Sequence, residues 1–147
     1  MDNNISIIDP EDQLPEKAVF MHWCNTVSTE LKQLYNVTFI AHNSLAMSAL
    51  NGKYRGKFYP TNILTFPHED KDNIITGDIY LCHDIVLKEA LSDGIDINDH
   101  YAHLTTHGLL HLIGLDHQNP ASQQAMEQLE VKILSQLGIN NPYEKFN

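Results

Sequence analysis

A single arginine, Arg55, stands in a chain of 147 residues, and all the bases together number 9 against 19 acids. A net charge of −10 argues against broad, unspecific adhesion to nucleic acid or to an acidic membrane surface, yet leaves room for a local basic site. Long apolar runs are missing as well. None approaches the ~18–20 residues of a membrane span, so no membrane partner is expected. The start, "MDNNISIIDPEDQLPEK", is acidic and lacks the basic-then-apolar pattern of a signal peptide, which makes the cytoplasm the expected location. The two cysteines, Cys24 and Cys82, lie far apart and form no C-x-x-C pair. They signal neither a thiolate zinc site nor a disulfide framework, and read as reduced, packed side chains. Repeats, low-complexity stretches and linkers are absent too, so residues 1–147 read as one domain.

Helical and strand signals are mixed along the chain without strict alternation. "ISIID" (5–9) reads as a strand stopped by Pro10. From Pro15 to about Tyr35 the residues Val19, Phe20, Trp23, Val27, Leu31 and Leu34 recur at helical spacing. "NVTFIAH" (36–42) is β-branched and aromatic, hence a strand; "SLAMSALNGKYR" (44–55) suggests a short helix stopping near Asn51-Gly52. A Gly-rich, basic loop (52–61) follows. Then come two strands, 62–66 and 74–82, able to pair as a hairpin. Helices are expected from His83 to about Leu91 and from about Asn98 to Leu112. A last one is capped by Asn119-Pro120, striped by Met126, Leu129, Ile133 and Leu137, and ended by Gly138. The class expected is α+β, a small mixed sheet packed with several helices.

Histidine is what the chain has in excess: nine in all, five of them between His100 and His117. In "HGLLHLIGLDH" (107–117), His107 and His111 stand four apart, on one face of a helix and one turn from each other. Two imidazole nitrogens can therefore point at one ion. A catalytic zinc takes three protein ligands at ~2.0–2.1 Å and keeps one position for water. His117 cannot share the face of a straight helix, but Gly114 can adopt positive φ, end the helix and return His117 as the third ligand. The expectation is one Zn2+ on a zincin-like metal helix; other divalent transition metals also suit an imidazole trio. His103 extends the stripe, but three histidines along a straight helix span ~12 Å of rise. It reads as a supporting or packed group. Gly108 occupies the place of the glutamate in H-E-x-x-H peptidases, so the usual base for peptide hydrolysis is missing.

Three of the nine bases fall within "KYRGK" (53–57), with Tyr54 and Phe58 interleaved. Guanidinium and ammonium groups suit phosphate oxygens and aromatic rings suit unpaired bases, so Lys53, Tyr54 and Lys57 are candidates for contacting RNA. Asp78, Asp116 and His103 are candidates for orienting a ligand imidazole or serving as a base.

Taken together, "LNGKYRGKFYPTNILTFP" (50–67), "TGDIYLC" (76–82), "HGLLHLIGLDH" (107–117) and "AMEQLEVKILSQLG" (125–138) resemble the YbeY endoribonucleases, bacterial rRNA-maturation factors. The likeness runs from about Leu50 to Leu137. It departs from the family pattern at Asn62, where aspartate is usual, and at Leu115, where tyrosine is common. The resemblance implies that His107, His111 and His117 bind zinc and that Arg55 is the functional arginine. It also implies cleavage of single-stranded RNA, chiefly at the 3′ end of small-subunit ribosomal RNA, and a part in ribosome quality control with ribosomal partners. Two other readings stand beside it: a metallopeptidase without its glutamate, and a non-catalytic ribosome-associated protein with a structural zinc.

Overall fold

A computed structural model describes residues 2–69, 72–115 and 118–144. Among these the order is β1 (Asn4–Ile8), α1 (Lys17–Leu31), β2 (Leu34–Ala41), α2 (Ser44–Arg55), β3 (Ile63–Pro67), β4 (Ile74–Leu81), α3 (His83–Asp93), α4 (Ile97–Leu112) and α5 (Pro120–Gln136). The strands form one sheet, ordered β1-β2-β4-β3. β1 and β2 pair parallel, as do β2 and β4, while β3 runs antiparallel to β4 as the expected hairpin, with Thr65 opposite Ile79. The sheet is therefore mixed and the fold is α+β.

Strand alternation decides what covers each face. Tyr35, Val37 and Phe39 of β2 and Ile75, Ile79 and Leu81 of β4 enter the main core with Phe20, Trp23 and Val27 of α1, Leu109 and Leu110 of α4, and Ile133 and Leu134 of α5. Phe20 stacks on Phe39 at 4.2 Å and meets Trp23 edge-on at 5.5 Å, geometry worth ~0.5–1.5 kcal/mol per pair beyond area burial. The opposite face of β3 and β4 holds a smaller core of Met47, Leu64 and Cys82, flanked by Leu50, Phe66 and Tyr80. Tyr35 ties the sheet to α4, donating its hydroxyl to the Leu109 carbonyl at 3.0 Å.

Two boundaries differ from the sequence expectation. α1 stops at Leu31, where Lys32 takes a left-handed conformation (φ 53°), so Leu34 and Tyr35 start β2 instead of extending the helical stripe. α2 runs through Asn51-Gly52 to Arg55 and is closed by Gly56 at φ 70°. Gly52 serves close packing: a Cβ there would lie 2.1 Å from Cδ1 of Phe58, whose ring folds back over the helix. Lys53, Tyr54 and Arg55 consequently belong to the last turn of α2, and of the four only Lys57 lies in the loop beyond it.

Candidate active site

α4 starts cleanly because Asp96 accepts hydrogen bonds from the backbone N–H groups of Asn98 and Asp99. It ends in a Schellman turn: Leu115 N–H bonds the Leu110 carbonyl at 3.2 Å, Gly114 N–H bonds the His111 carbonyl at 2.9 Å, and Gly114 sits at φ 93°. The glycine thus stops the helix as its position predicts. Asp116 and His117, beyond this turn, lie outside the described residues.

Gly108 lets α4 sit tightly on the sheet. A Cβ there would stand 3.1–3.2 Å from side-chain carbons of Ile63, Thr65 and Ile79. Any side chain at 108 would press its Cβ on those apolar groups, so a glutamate there would require the helix or its neighbours to shift.

On the neighbouring face of the helix, Nε2 of His107 and Nε2 of His111 lie 2.9 Å apart. Nδ1 of His107 lies 2.5 Å from Oε1 of Glu130 on α5. The Tyr143 hydroxyl donates to Oε2 of the same carboxylate at 2.5 Å, and Nε2 of His103 is 3.1 Å from that hydroxyl. Glu130 is fully buried. Burial alone would raise its pKa, but the hydrogen bonds from His107 and Tyr143 and the nearby imidazoles hold it below the usual carboxylate value. Ionised, it only accepts, so the proton in this bond belongs to Nδ1 of His107. The single Tyr143 proton points at Glu130, leaving that oxygen to accept from His103. Burial pushes His103 down to about 4 against the pull of Glu130.

The paired Nε2 atoms fit a shared cation. Two nitrogens bound at ~2.0–2.1 Å to one tetrahedral zinc stand ~3.3 Å apart, a small ring rotation from the observed 2.9 Å. The His107 side chain is 26% exposed. The donor set is partial: among the described residues no group of three His, Cys, Asp or Glu is arranged to hold a metal.

The other candidates are placed as follows. His103 reaches Tyr143 and lies 3.8 Å from Glu130, in the position of a supporting group. Asp78 pairs with Phe66 across the sheet and meets His68 at 3.0 Å, on the face turned away from α4. Lys53, Tyr54, Arg55 and Lys57 are all exposed. The Tyr54 ring packs edge-on against Phe66 at 4.9 Å, with the Lys53 ammonium 5.3 Å from its centre. The edge strand β3 thus carries the basic and aromatic surface on one face, through Phe66, and seats α4 on the other, through Ile63 and Thr65. Asn62, just before it, donates to Glu89 at 3.0 Å, and Glu89 also meets His100 at 3.0 Å. An aspartate at 62 would instead oppose that carboxylate.

Sequence reasoning did not single out Glu130 or Tyr143. A signal existed for the first: Glu130 sits four residues after Met126 and three before Ile133, so a lone acid occupies the buried stripe of an otherwise apolar face.

The arrangement is that of an α+β domain with a histidine-bearing helix laid across the edge strand of a mixed sheet. The fold alone matches the solution structure of TM1509 from Thermotoga maritima, with a TM-score of 0.60 over 96% of this chain and 99% of the other, at 21% identity. The sequence narrows the class further. The profile of the family described as Endoribonuclease YbeY matches residues 4–138. The proteins named Endoribonuclease YbeY of Alteromonas mediterranea and Stenotrophomonas maltophilia are 41% and 37% identical, covering 89% and 97% of this chain and 85% and 93% of their own. The chain belongs to the YbeY endoribonuclease family.

Proposed function

We propose that the protein is a metal-dependent, single-strand-specific endoribonuclease that matures the 3′ end of 16S ribosomal RNA and serves ribosome quality control in the cytoplasm. Family membership supports the nuclease class. The observation that carries the metal reading is the convergence of two Nε2 atoms 2.9 Å apart, one on a ring whose other nitrogen is held by a buried carboxylate. His107 and His111 would hold a zinc ion, with His117 as the third ligand. Such an ion supplies Lewis acidity, lowering the pKa of water and polarising a phosphoryl oxygen.

The remaining work falls to side chains. Lys53 and Lys57 attract the phosphate backbone, and Tyr54 offers a face on which an unpaired base can stack. Arg55 binds the scissile phosphate through its planar fork and offsets the charge that builds during cleavage. A strand held on the α2 surface would reach the histidines across the edge strand β3, a path that suits a flexible single strand. The acidic balance of the chain argues for weak, salt-sensitive binding to naked RNA and for targeting by ribosomal partners.

The test uses a short single-stranded RNA with zinc-loaded protein, with chelator-treated protein and with His111→Ala. Cleavage by the first alone supports the reading. Cleavage indifferent to chelator and to His111→Ala overturns its metal part, and casein digestion abolished by chelator would revive the peptidase. Metal analysis of protein purified without a nickel column identifies the native ion.

A further inference from the structure

We propose that Glu130 is a positioning residue, braced by Tyr143 and His103, which fixes His107 as the tautomer protonated at Nδ1 and so presents Nε2 as a ready donor. Only the ion that Nε2 would meet rests on the metal reading above; the clamp itself stands on the hydrogen bonds.

Four side chains from three parts of the chain make one directed chain of donors and acceptors. His103 gives its Nε2–H to the Tyr143 oxygen at 3.1 Å, and Tyr143 gives its proton to Oε2 of Glu130 at 2.5 Å. His107 gives Nδ1–H to Oε1 of the same carboxylate at 2.5 Å. Both carboxylate oxygens are engaged from opposite directions, so the group cannot rotate without losing a partner. The carboxylate emerges from a helix face that otherwise buries Met126, Ile133 and Leu134. Placing a charge there costs stability unless it is fully partnered, which points to a task beyond packing. An imidazole bound through one nitrogen commonly donates the other to a carboxylate, which sets its tautomer and orientation and raises its basicity. Tyr143 lies beyond the end of α5, seven residues past Gln136. The segment after α5 is therefore part of the clamp: it walls the small cavity of about 130 Å³ beside His107, together with Gln123, Met126 and Glu127.

The experiment compares the full-length protein with Glu130→Gln, Glu130→Ala and Tyr143→Phe by two measurements. In metal-free protein, long-range 1H–15N correlation spectra report which nitrogen of His107 carries the proton. Zinc affinity is then read by competition with a chromophoric chelator, and the melting temperature of each metal-free variant is recorded alongside. The wild type is expected to show His107 protonated at Nδ1. Glu130→Ala should shift it toward the Nε2–H form and weaken zinc binding by ~10–100-fold. Glu130→Gln keeps an acceptor of the same shape without the charge and should fall between the two; it carries the test if Glu130→Ala does not fold. Tyr143→Phe should retain the tautomer and weaken zinc less than Glu130→Ala does. An unchanged tautomer and unchanged zinc affinity in folded Glu130→Gln and Glu130→Ala overturn the proposal. If wild-type protein shows the Nδ1–H tautomer but binds no zinc, the clamp stands and the metal reading alone fails.

Discussion

On the α4 side of β3, polar groups are sheltered and tied to one another: a buried glutamate holds a histidine and a tyrosine, and that tyrosine meets a second histidine. On the α2 side, across the same strand, three cations and three aromatic rings stand in solvent, with Tyr54 57%, Phe58 78% and Tyr59 55% exposed. The first region is tied together before any ligand arrives, which would serve the proposed chemistry at a phosphorus atom, where small errors of position are costly. The second leaves its groups exposed to water, which would suit the proposed RNA surface, accepting many sequences at modest affinity. If this division holds, only substitutions on the α4 side should change zinc affinity, and on the α2 side only Arg55, proposed to meet the scissile phosphate, should change turnover.

The sharpest break comes at the histidines. His111→Ala should abolish both RNA cleavage and high-affinity zinc uptake while leaving RNA binding, measured by fluorescence anisotropy, near the wild-type level. Loss of RNA binding in that variant would mean that the two regions do not act separately. Arg55→Ala comes next. Removing a donor aimed at transition-state charge costs on the order of 10²–10³ in turnover, and zinc affinity should stay as it is. Unchanged turnover removes Arg55 from the mechanism. Gly52→Ala is subtler. Alanine favours the helix interior by ~1 kcal/mol, but its Cβ would displace the Phe58 ring, 2.1 Å away at its nearest. Stability by thermal melting should hold or rise while single-stranded RNA affinity falls severalfold; equal affinity would show that the seat of Phe58 is irrelevant to binding.

How much of each region is legible in the sequence follows the same division. The histidine pair, the Schellman glycine at 114 and the Asn119-Pro120 cap are short-range patterns, and a helix makes spacings of three and four meaningful without knowledge of the fold. Glu130 was harder to find because its partner lies 23 residues away, and only the packing of α5 on α4 brings them together. The stripe of Met126, Leu129, Ile133 and Leu137 does pack on the core, and Glu130 is buried beside it. A charged side chain is assigned to solvent by default, so an apolar stripe does not reveal a buried acid at its margin. Asp78 could not be placed on a face until the register of β4 against β3 was known. The end of α1 at Lys32 carries no glycine to announce it. The turn before β2 is imposed by the parallel pairing of β2 with β1 and β4, which pulls Leu34 and Tyr35 out of the helical stripe.

The smallest effect separates attraction from chemistry on the basic side itself. Lys53 is held near the Tyr54 ring at 5.3 Å, whereas Lys57 lies in the loop past Gly56; both are exposed. If each ammonium displaces about one condensed counterion from a single strand, log affinity against log salt should lose ~0.7 of its slope for each lysine removed. Lys53→Ala and Lys57→Ala should then lower affinity for every RNA sequence alike, with turnover at saturating RNA unchanged and zinc affinity untouched. Because the effect is electrostatic, it should shrink as salt rises and nearly vanish at several hundred millimolar. A lysine whose removal lowers turnover at saturation, or whose effect persists in high salt, would be contacting the reacting phosphate, and the line drawn between an approach surface and a reaction centre would have to move to include it.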